Sequence, residues 1–220
     1  MKTYETIIWD WNGTLLDDVS LCISIANEIL DDYRLPALTT ERYREIFDFP
    51  VRLYWERAGL DLDQIDFKSI SVRFCRLFEE RLHEASLYSG VVRILRSLRQ
   101  YGIQQFLLSN TEHNALYQMA NHFEIIEYFI EVRGMDNTLA EGKLSGGSKI
   151  IQDFTLNRDT TILIGDTTHD AEVAEQLGID CFLIDVGHQS SNRLISHGAP
   201  VANAITDIPG LLNLNESASA

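Results

Sequence analysis

The sequence predicts an α/β protein: a doubly wound, Rossmann-like parallel sheet core with an inserted all-helical cap. Three observations predict it. Short apolar runs rich in β-branched and aromatic residues recur at 6–9, 105–108, 128–132, 161–164 and 181–184. Runs this short and apolar on both faces suit parallel strands covered by helices on each side. Helix-length segments at 91–101, 114–122, 148–154 and 170–177 separate most of them, and strand-helix alternation is the pattern of a doubly wound sheet. The interval 17–86 breaks the alternation, because it holds no convincing strand and reads as several amphipathic helices.

Taken in order, 6–9 supplies the first strand, and the helical block follows it directly. Within the block, Ser20 suits an N-cap for a helix running to about Tyr33, Thr39 starts another, and Pro36 and Pro50 punctuate the stretch. The expected division is therefore residues 1–16 and 87–220 for the core and 17–86 for the cap. No internal repeat is visible.

The chain has 220 residues with 18 Lys and Arg against 33 Asp and Glu, a formal net charge of −15. That balance excludes a nucleic-acid binder working through bulk electrostatics, which needs a basic surface. The N-terminal stretch lacks a secretory apolar region, and no run approaches the ~18 apolar residues of a membrane span, so a cytoplasmic protein without membrane partner is expected. Cys22, Cys75 and Cys181 are odd in number and never in CxxC spacing, so reduced thiols are expected rather than disulfides or zinc ligands.

Ligands of an open parallel sheet bind outside the carboxyl ends of its strands. The residues there are Asp10, Ser109 and Asn110, Asp166, and Asp185. Asp10 stands in IIWDWNGTLL, where Gly13 permits a tight reversal and Thr14 offers a hydroxyl and an amide. ILIGDTTHDAEVA places Asp166 and Asp170 four residues apart at a strand-to-helix junction. Three carboxylates that converge would suit Mg²⁺, a hard cation with oxygen ligands. The same two acids also suit a helix cap and a first-turn acid facing the helix dipole. GKLSGGSK lacks the spacing of a phosphate-binding P-loop, and His169-Asp170 has no partner histidines for a histidine metal site.

With these residues assembled, the chain resembles the haloacid dehalogenase-like hydrolase superfamily, and within it the phosphoglycolate-phosphatase-like phosphatases with a helical cap after the first strand. The motifs occur in order: DWNGT from Asp10 to Thr14, LLSN from Leu107 to Asn110, a lysine, and GDTTHD from Gly165 to Asp170. The resemblance implies that Asp10 is a nucleophile forming an aspartyl-phosphate, a role open to carboxylates. It implies Mg²⁺ held by Asp10, the backbone carbonyl of Asn12 and Asp166, with Asp170 a ligand or the holder of a bound water. Ser109, the Asn110 amide and Thr14 would bind phosphate. Lys143 fits the lysine motif of similar sequences better than Lys149. Arg52 is the best cap candidate for the rest of a small phosphorylated substrate, among Arg42, Arg44, Arg57, Tyr43, Tyr54 and Trp55. His188 and Gln189 fall on the same rim and stand outside the expected catalytic set.

One position departs from the family pattern. An acid usually follows the nucleophile by two residues, and this chain has Asn12. A backbone ligand survives that change, but an amide cannot give and recover a proton as a carboxyl group does. The loss is worth roughly 10²–10⁴-fold. It implies slower turnover, a preference for leaving groups needing little protonation, a proton borrowed from His113, His169 or Asp17, or an accumulating phosphoenzyme. Asn12 also supports an alternative, a phosphate-sensing or partner-binding protein that kept the fold without turnover, against which the three acids speak. Dehalogenation needs no metal and does not account for GDTTHD.

Overall fold

The computed structural model describes residues 2–135, 142–212 and 214. In chain order the elements are β1 (Thr6–Trp9), β2 (Leu16–Asp17), α1 (Val19–Asp32), α2 (Thr40–Ile46), α3 (Val51–Arg57), α4 (Phe67–Glu80), β3 (Ser86–Leu87), α5 (Val91–Gln100) and β4 (Gln104–Glu112). They continue with α6 (His113–His122), β5 (Glu131–Met135), α7 (Lys143–Asp153), β6 (Thr161–Gly165), α8 (Thr168–Leu177), β7 (Asp180–Ile184), α9 (Ser191–His197), β8 (Val201–Ala202) and α10 (Ile208–Leu211).

β1, buried at all four positions, is central because it is apolar on both faces. It pairs in parallel with β4 on one side and β6 on the other. The sheet reads β5-β4-β1-β6-β7-β8, all parallel, so chain order reverses direction at β1. The crevice at such a reversal is where ligands bind in doubly wound folds. One apolar cluster joins Ile7, Trp9 and Leu107 of the sheet to Ile25, Tyr43 and Trp55 of the helices that follow β2, while a second packs α7 and α8 on the other face around Ile8, Phe106 and Leu163.

The fold matches the α/β reading, with particular corrections. The interval 17–86 is bracketed by β2 and β3, which pair antiparallel through Leu16 with Leu87 and Asp17 with Ser86. Helix α1 begins at Val19 behind Asp18, not behind Ser20. Thr39 caps α2 as expected, its side chain accepting from the Arg42 amide at 3.1 Å. The fifth strand lies at Glu131–Met135 rather than 128–132, because Ile126–Tyr128 forms a 3-10 turn whose apolar side chains pack on the core. Helix α7 starts at Lys143 and not at 148. β8, two residues long, was outside the expected strands. All three cysteines are free. No helix among the described residues is long and apolar enough to cross a membrane.

Candidate active site

Asp10 follows β1 directly, and its backbone amide still bonds the Ile164 carbonyl of β6 at 2.8 Å, so the sheet fixes where its carboxylate leaves the strand. Asp166 leaves β6 at the same level. The Thr14 hydroxyl stands 3.3 Å from Asp10 Oδ2 and 3.2 Å from Asp166 Oδ1, bridging the two acids. Gly13 makes this turn possible: its φ is +72°, and a Cβ there would stand 2.4 Å from Asp166 Oδ2. The Asp170 carboxylate belongs to the capping box of α8, its Oδ2 accepting from the Asp166 amide at 3.2 Å, the Thr167 amide at 3.0 Å and the Thr167 hydroxyl at 2.7 Å.

The N-terminal residue of α7 closes the cluster. The Lys143 ammonium, with its side chain 2 % exposed, donates to Asp10 Oδ1 and Asp170 Oδ1, and its backbone amide bonds Asn110 Oδ1 at 3.2 Å. Lys149, the other candidate, lies on the exposed face of the same helix. Burial would lower the Lys143 pKa, but the charges of Asp10 and Asp170 outweigh it and hold the ammonium protonated. Asp170 is held below the usual carboxylate range because Lys143 and the Thr167 bonds outweigh its burial. Asp10 and Asp166 are pushed up, Asp166 to about 8: burial dominates, His188 pulls Asp166 back, and the neighbouring acids repel.

Three buried carboxylates thus meet one ammonium. Oxygen atoms of Asp10, Asp166 and Asp170 all lie within 4.8 Å of one another. A hard-oxygen set with excess negative charge fits a divalent cation, which would offset the burial and the mutual repulsion that raise Asp10 and Asp166. Asp170 therefore serves as cap and cluster member together, and the two readings of GDTTHD do not exclude each other.

Next to this cluster sits a second buried group that sequence reasoning did not assemble. Asn12 Nδ2 donates to Asp18 Oδ2 at 2.7 Å, and Asn12 Oδ1 accepts from the Thr111 hydroxyl at 2.9 Å. Asp18 also accepts from the Gly13 amide at 2.9 Å and pairs with His188 Nε2 at 3.2 Å, while His188 Nδ1 meets the Tyr43 hydroxyl at 2.9 Å. Burial would neutralise the His188 imidazole, but the Asp18 carboxylate outweighs it and pushes the pKa up to about 9; His188 in turn holds Asp18 low against its own burial. The His188 backbone amide donates to Asp166 Oδ2 at 2.6 Å, tying the two groups together. Asp17, the residue weighed as a proton source, is exposed, and its neighbour Asp18 takes the inward position.

A cavity of about 770 Å³ opens over the strand ends, lined by Asp10, Asn12, Ser109, Asn110, Lys143, Asp166 and Asp170 together with side chains of the inserted helices. Ser109 bonds Thr111, where the pairing of β4 with β5 loses register between Leu108 and Glu112. Two expected substrate residues fall elsewhere. Thr14 is fully buried beneath the cavity, so its hydroxyl spans the two acids instead of lining the wall. Arg52 turns its guanidinium to the Leu62 carbonyl, Glu56 and Asp63 and is absent from the cavity wall, because those acceptors satisfy it locally. Of the other residues weighed as proton sources, His169 lines the cavity stacked on Phe49, whereas His113 does not line it.

A family model described as haloacid dehalogenase-like hydrolase matches residues 7–184. The chain belongs to that family. It is 25% identical over 211 residues to a phosphoglycolate phosphatase of Caulobacter vibrioides, covering 93% of this chain and 89% of the relative. It is 24% identical over 210 residues to a phosphoglycolate phosphatase of Rhodobacter capsulatus, covering 94% and 95%. The structure of a haloacid dehalogenase-like family hydrolase from Streptococcus pneumoniae superposes with a TM-score of 0.82 at 21% identity, covering 94% of this chain and 98% of that one.

Proposed function

We propose that this phosphatase of the haloacid dehalogenase-like family is Mg²⁺-dependent and works through a phospho-aspartyl intermediate on Asp10. The carrying observation is the Asp10 carboxylate at the end of β1, fixed by Lys143 on one oxygen and Thr14 on the other, 8 % exposed and open to the cavity. A carboxylate held this way attacks phosphorus without losing rotational freedom at that moment.

Asp10, the Asn12 carbonyl and Asp166 would hold the ion, and Asp170, whose two oxygens already face Lys143 and Thr167, would orient the site. The ion would supply charge neutralisation between carboxylate and phosphate. Lys143 balances Asp10 and faces the developing charge on the transferring group. Ser109 and the Asn110 amide, at the loosened end of β4, would hold phosphate oxygens through charge-assisted bonds. At this level the substrate is a small phosphate monoester, the class to which the curated relatives' phosphoglycolate belongs.

Hydrolysis of 4-nitrophenyl phosphate with Mg²⁺, with EDTA, and by Asp10→Asn tests the reading. Activity with Mg²⁺ that disappears in both controls supports it. Mg²⁺ binding without any hydrolysis would instead select the phosphate-sensing alternative that Asn12 favours.

A further inference from the structure

We propose that the preferred substrate is an aryl phosphate monoester, with a flat apolar leaving group and no charge beyond its phosphate. This rests on the phosphatase reading above and specifies its substrate. Two independent observations carry it, one from the cavity wall and one from the position after the nucleophile.

The wall beyond the acid cluster is aromatic. Tyr54 and Trp55 of α3 and Phe74 and Phe78 of α4 line it, with Phe47 and Phe49 from the turn between α2 and α3. Their rings are already arranged for edge and face contacts: Phe74 stands edge-on to Trp55 at 6.2 Å, and Tyr54 is tilted against Trp55 at 4.9 Å. Aromatic pairs of this kind add to what area burial alone supplies. At about 770 Å³ the space has the size of a ligand pocket for a ring-bearing molecule, well beyond a two-carbon phosphate.

Positive charge is scarce in that wall. Among the described residues Lys143 is the one Lys or Arg lining the cavity, and Asp10 and Asp170 already hold it. The sequence DNTLAE at 136–141 contains neither residue type. The arginines of the inserted helices are turned to other partners: Arg44 to Asp185, Arg57 to Asp48, Arg73 to Glu28 and Asp32. Glu79 and Glu112 line the cavity instead. Another cationic group in the lining, the His188 imidazolium, is already paired with Asp18, so a second anionic group on the substrate would lose its water and find no cation free to pair with it, which is costly. Tyr54, 2 % exposed, also has a buried hydroxyl with no hydrogen-bond partner, so the wall offers one polar handle to its occupant.

Asn12 points to the same class. Attack by an Asp10 oxygen forms the new bond to phosphorus while the ester bond breaks, its electron pair going to the leaving oxygen. With no acid at position 12, that oxygen takes its proton from water. A phenol-type oxygen with a pKa of about 10 leaves readily as the anion. An alkoxide, closer to water at about 15.7, does not. A water oxygen then attacks the phosphorus of the phospho-aspartate; the bond between phosphorus and the Asp10 oxygen breaks, its electron pair returns to the carboxylate, and the water's proton passes to solvent, where it replaces the one taken by the leaving oxygen, so that inorganic phosphate is released.

The test compares kcat/KM with Mg²⁺ for 1-naphthyl phosphate, n-octyl phosphate and 2-phosphoglycolate. Because kcat/KM covers the steps through formation of the phosphoenzyme, a slow second step does not mask the difference. The expected result is 1-naphthyl phosphate ahead of 2-phosphoglycolate by about 100-fold and n-octyl phosphate far behind 1-naphthyl phosphate. Phe74→Ala should lower the 1-naphthyl value by about tenfold, and Phe74→Trp should restore it. If 2-phosphoglycolate is equal or better, or n-octyl phosphate matches 1-naphthyl phosphate, the inference is overturned while the phosphatase reading stands. If none of the three is hydrolysed, and 4-nitrophenyl phosphate is not either, the phosphatase reading fails and takes the inference with it.

Discussion

Asn12 donates its side-chain amide to Asp18 at 2.7 Å, so the residue that stands two positions after Asp10 is anchored to a buried carboxylate. A carboxyl group at position 12 would face another carboxylate across that distance, and two such groups cannot both ionise. Asn12 is thereby matched to Asp18, which His188 keeps charged.

This pairing sets the outcome of exchanging the two residues. N12D brings a carboxyl group to the leaving-group side and should raise turnover of alkyl phosphates by about tenfold or more. It should also lower stability, because one member of the new acid pair must take up a proton. N12D with D18N restores the hydrogen bond in the opposite sense and should recover the lost stability in urea titrations while keeping the gain. An N12D rate equal to the parent's would show that another group already supplies the proton.

Much of this arrangement was legible in the sequence, and the residues show where legibility stops. Asp10 and Asp166 were found because apolar runs end on them, and Asp170 because it stands four residues on at the strand-to-helix junction; the structure gathers all three. Asp18 was missed because it follows another aspartate: only the path from β2 into α1 turns Asp17 outward and Asp18 inward. His188 was seen only as a rim residue, since nothing local announces an ion pair with a residue 170 positions earlier. The start of α7 was missed because Gly146 and Gly147, poor helix formers, stand just before the segment expected from 148. They are helical, and a Cβ would stand 2.8 Å from Leu108 at the first and 2.6 Å from Leu177 at the second, so glycine here serves close packing. Arg52 drew attention as a cap arginine able to meet an anionic substrate, whereas its acceptors lie nearby in α3 and the turn after it.

Among the described residues Lys143 is the one ammonium against three buried acids in the cluster, so its removal should be read as stability as well as activity. K143M leaves Asp10 and Asp170 without their partner and should cost about 3–5 kcal/mol in metal-free urea unfolding. Mg²⁺ near 100 times its Kd should return about 2.7 kcal/mol by binding the folded state. The variant should gain at least as much from Mg²⁺ as the parent does, because the competing cation is gone. A Mg²⁺ gain that vanishes in K143M would contradict the placement of the ion among these acids.

Gly187 stands against Asp166 so closely that a Cβ would fall 2.0 Å from Oδ2. G187A must therefore displace the carboxylate while leaving the sheet intact. The expected result is an unchanged far-ultraviolet circular dichroism spectrum with Mg²⁺-dependent hydrolysis reduced about 100-fold, the usual cost of misplacing a catalytic group by about 1 Å. Activity close to the parent's would show that Asp166 is not needed at its present position.

The central claim is that Asp10 carries the phosphoryl group during turnover. Because no acid or base stands at position 12, that intermediate is expected to break down slowly and to accumulate. The direct measurement is rapid acid quenching during hydrolysis of 4-nitrophenyl phosphate with Mg²⁺, followed by peptide mass spectrometry. A mass gain of one phosphoryl group on the peptide containing Asp10, absent from Asp10→Asn, is the expected result. Steady hydrolysis by the parent with that peptide unmodified at every quench time would contradict it.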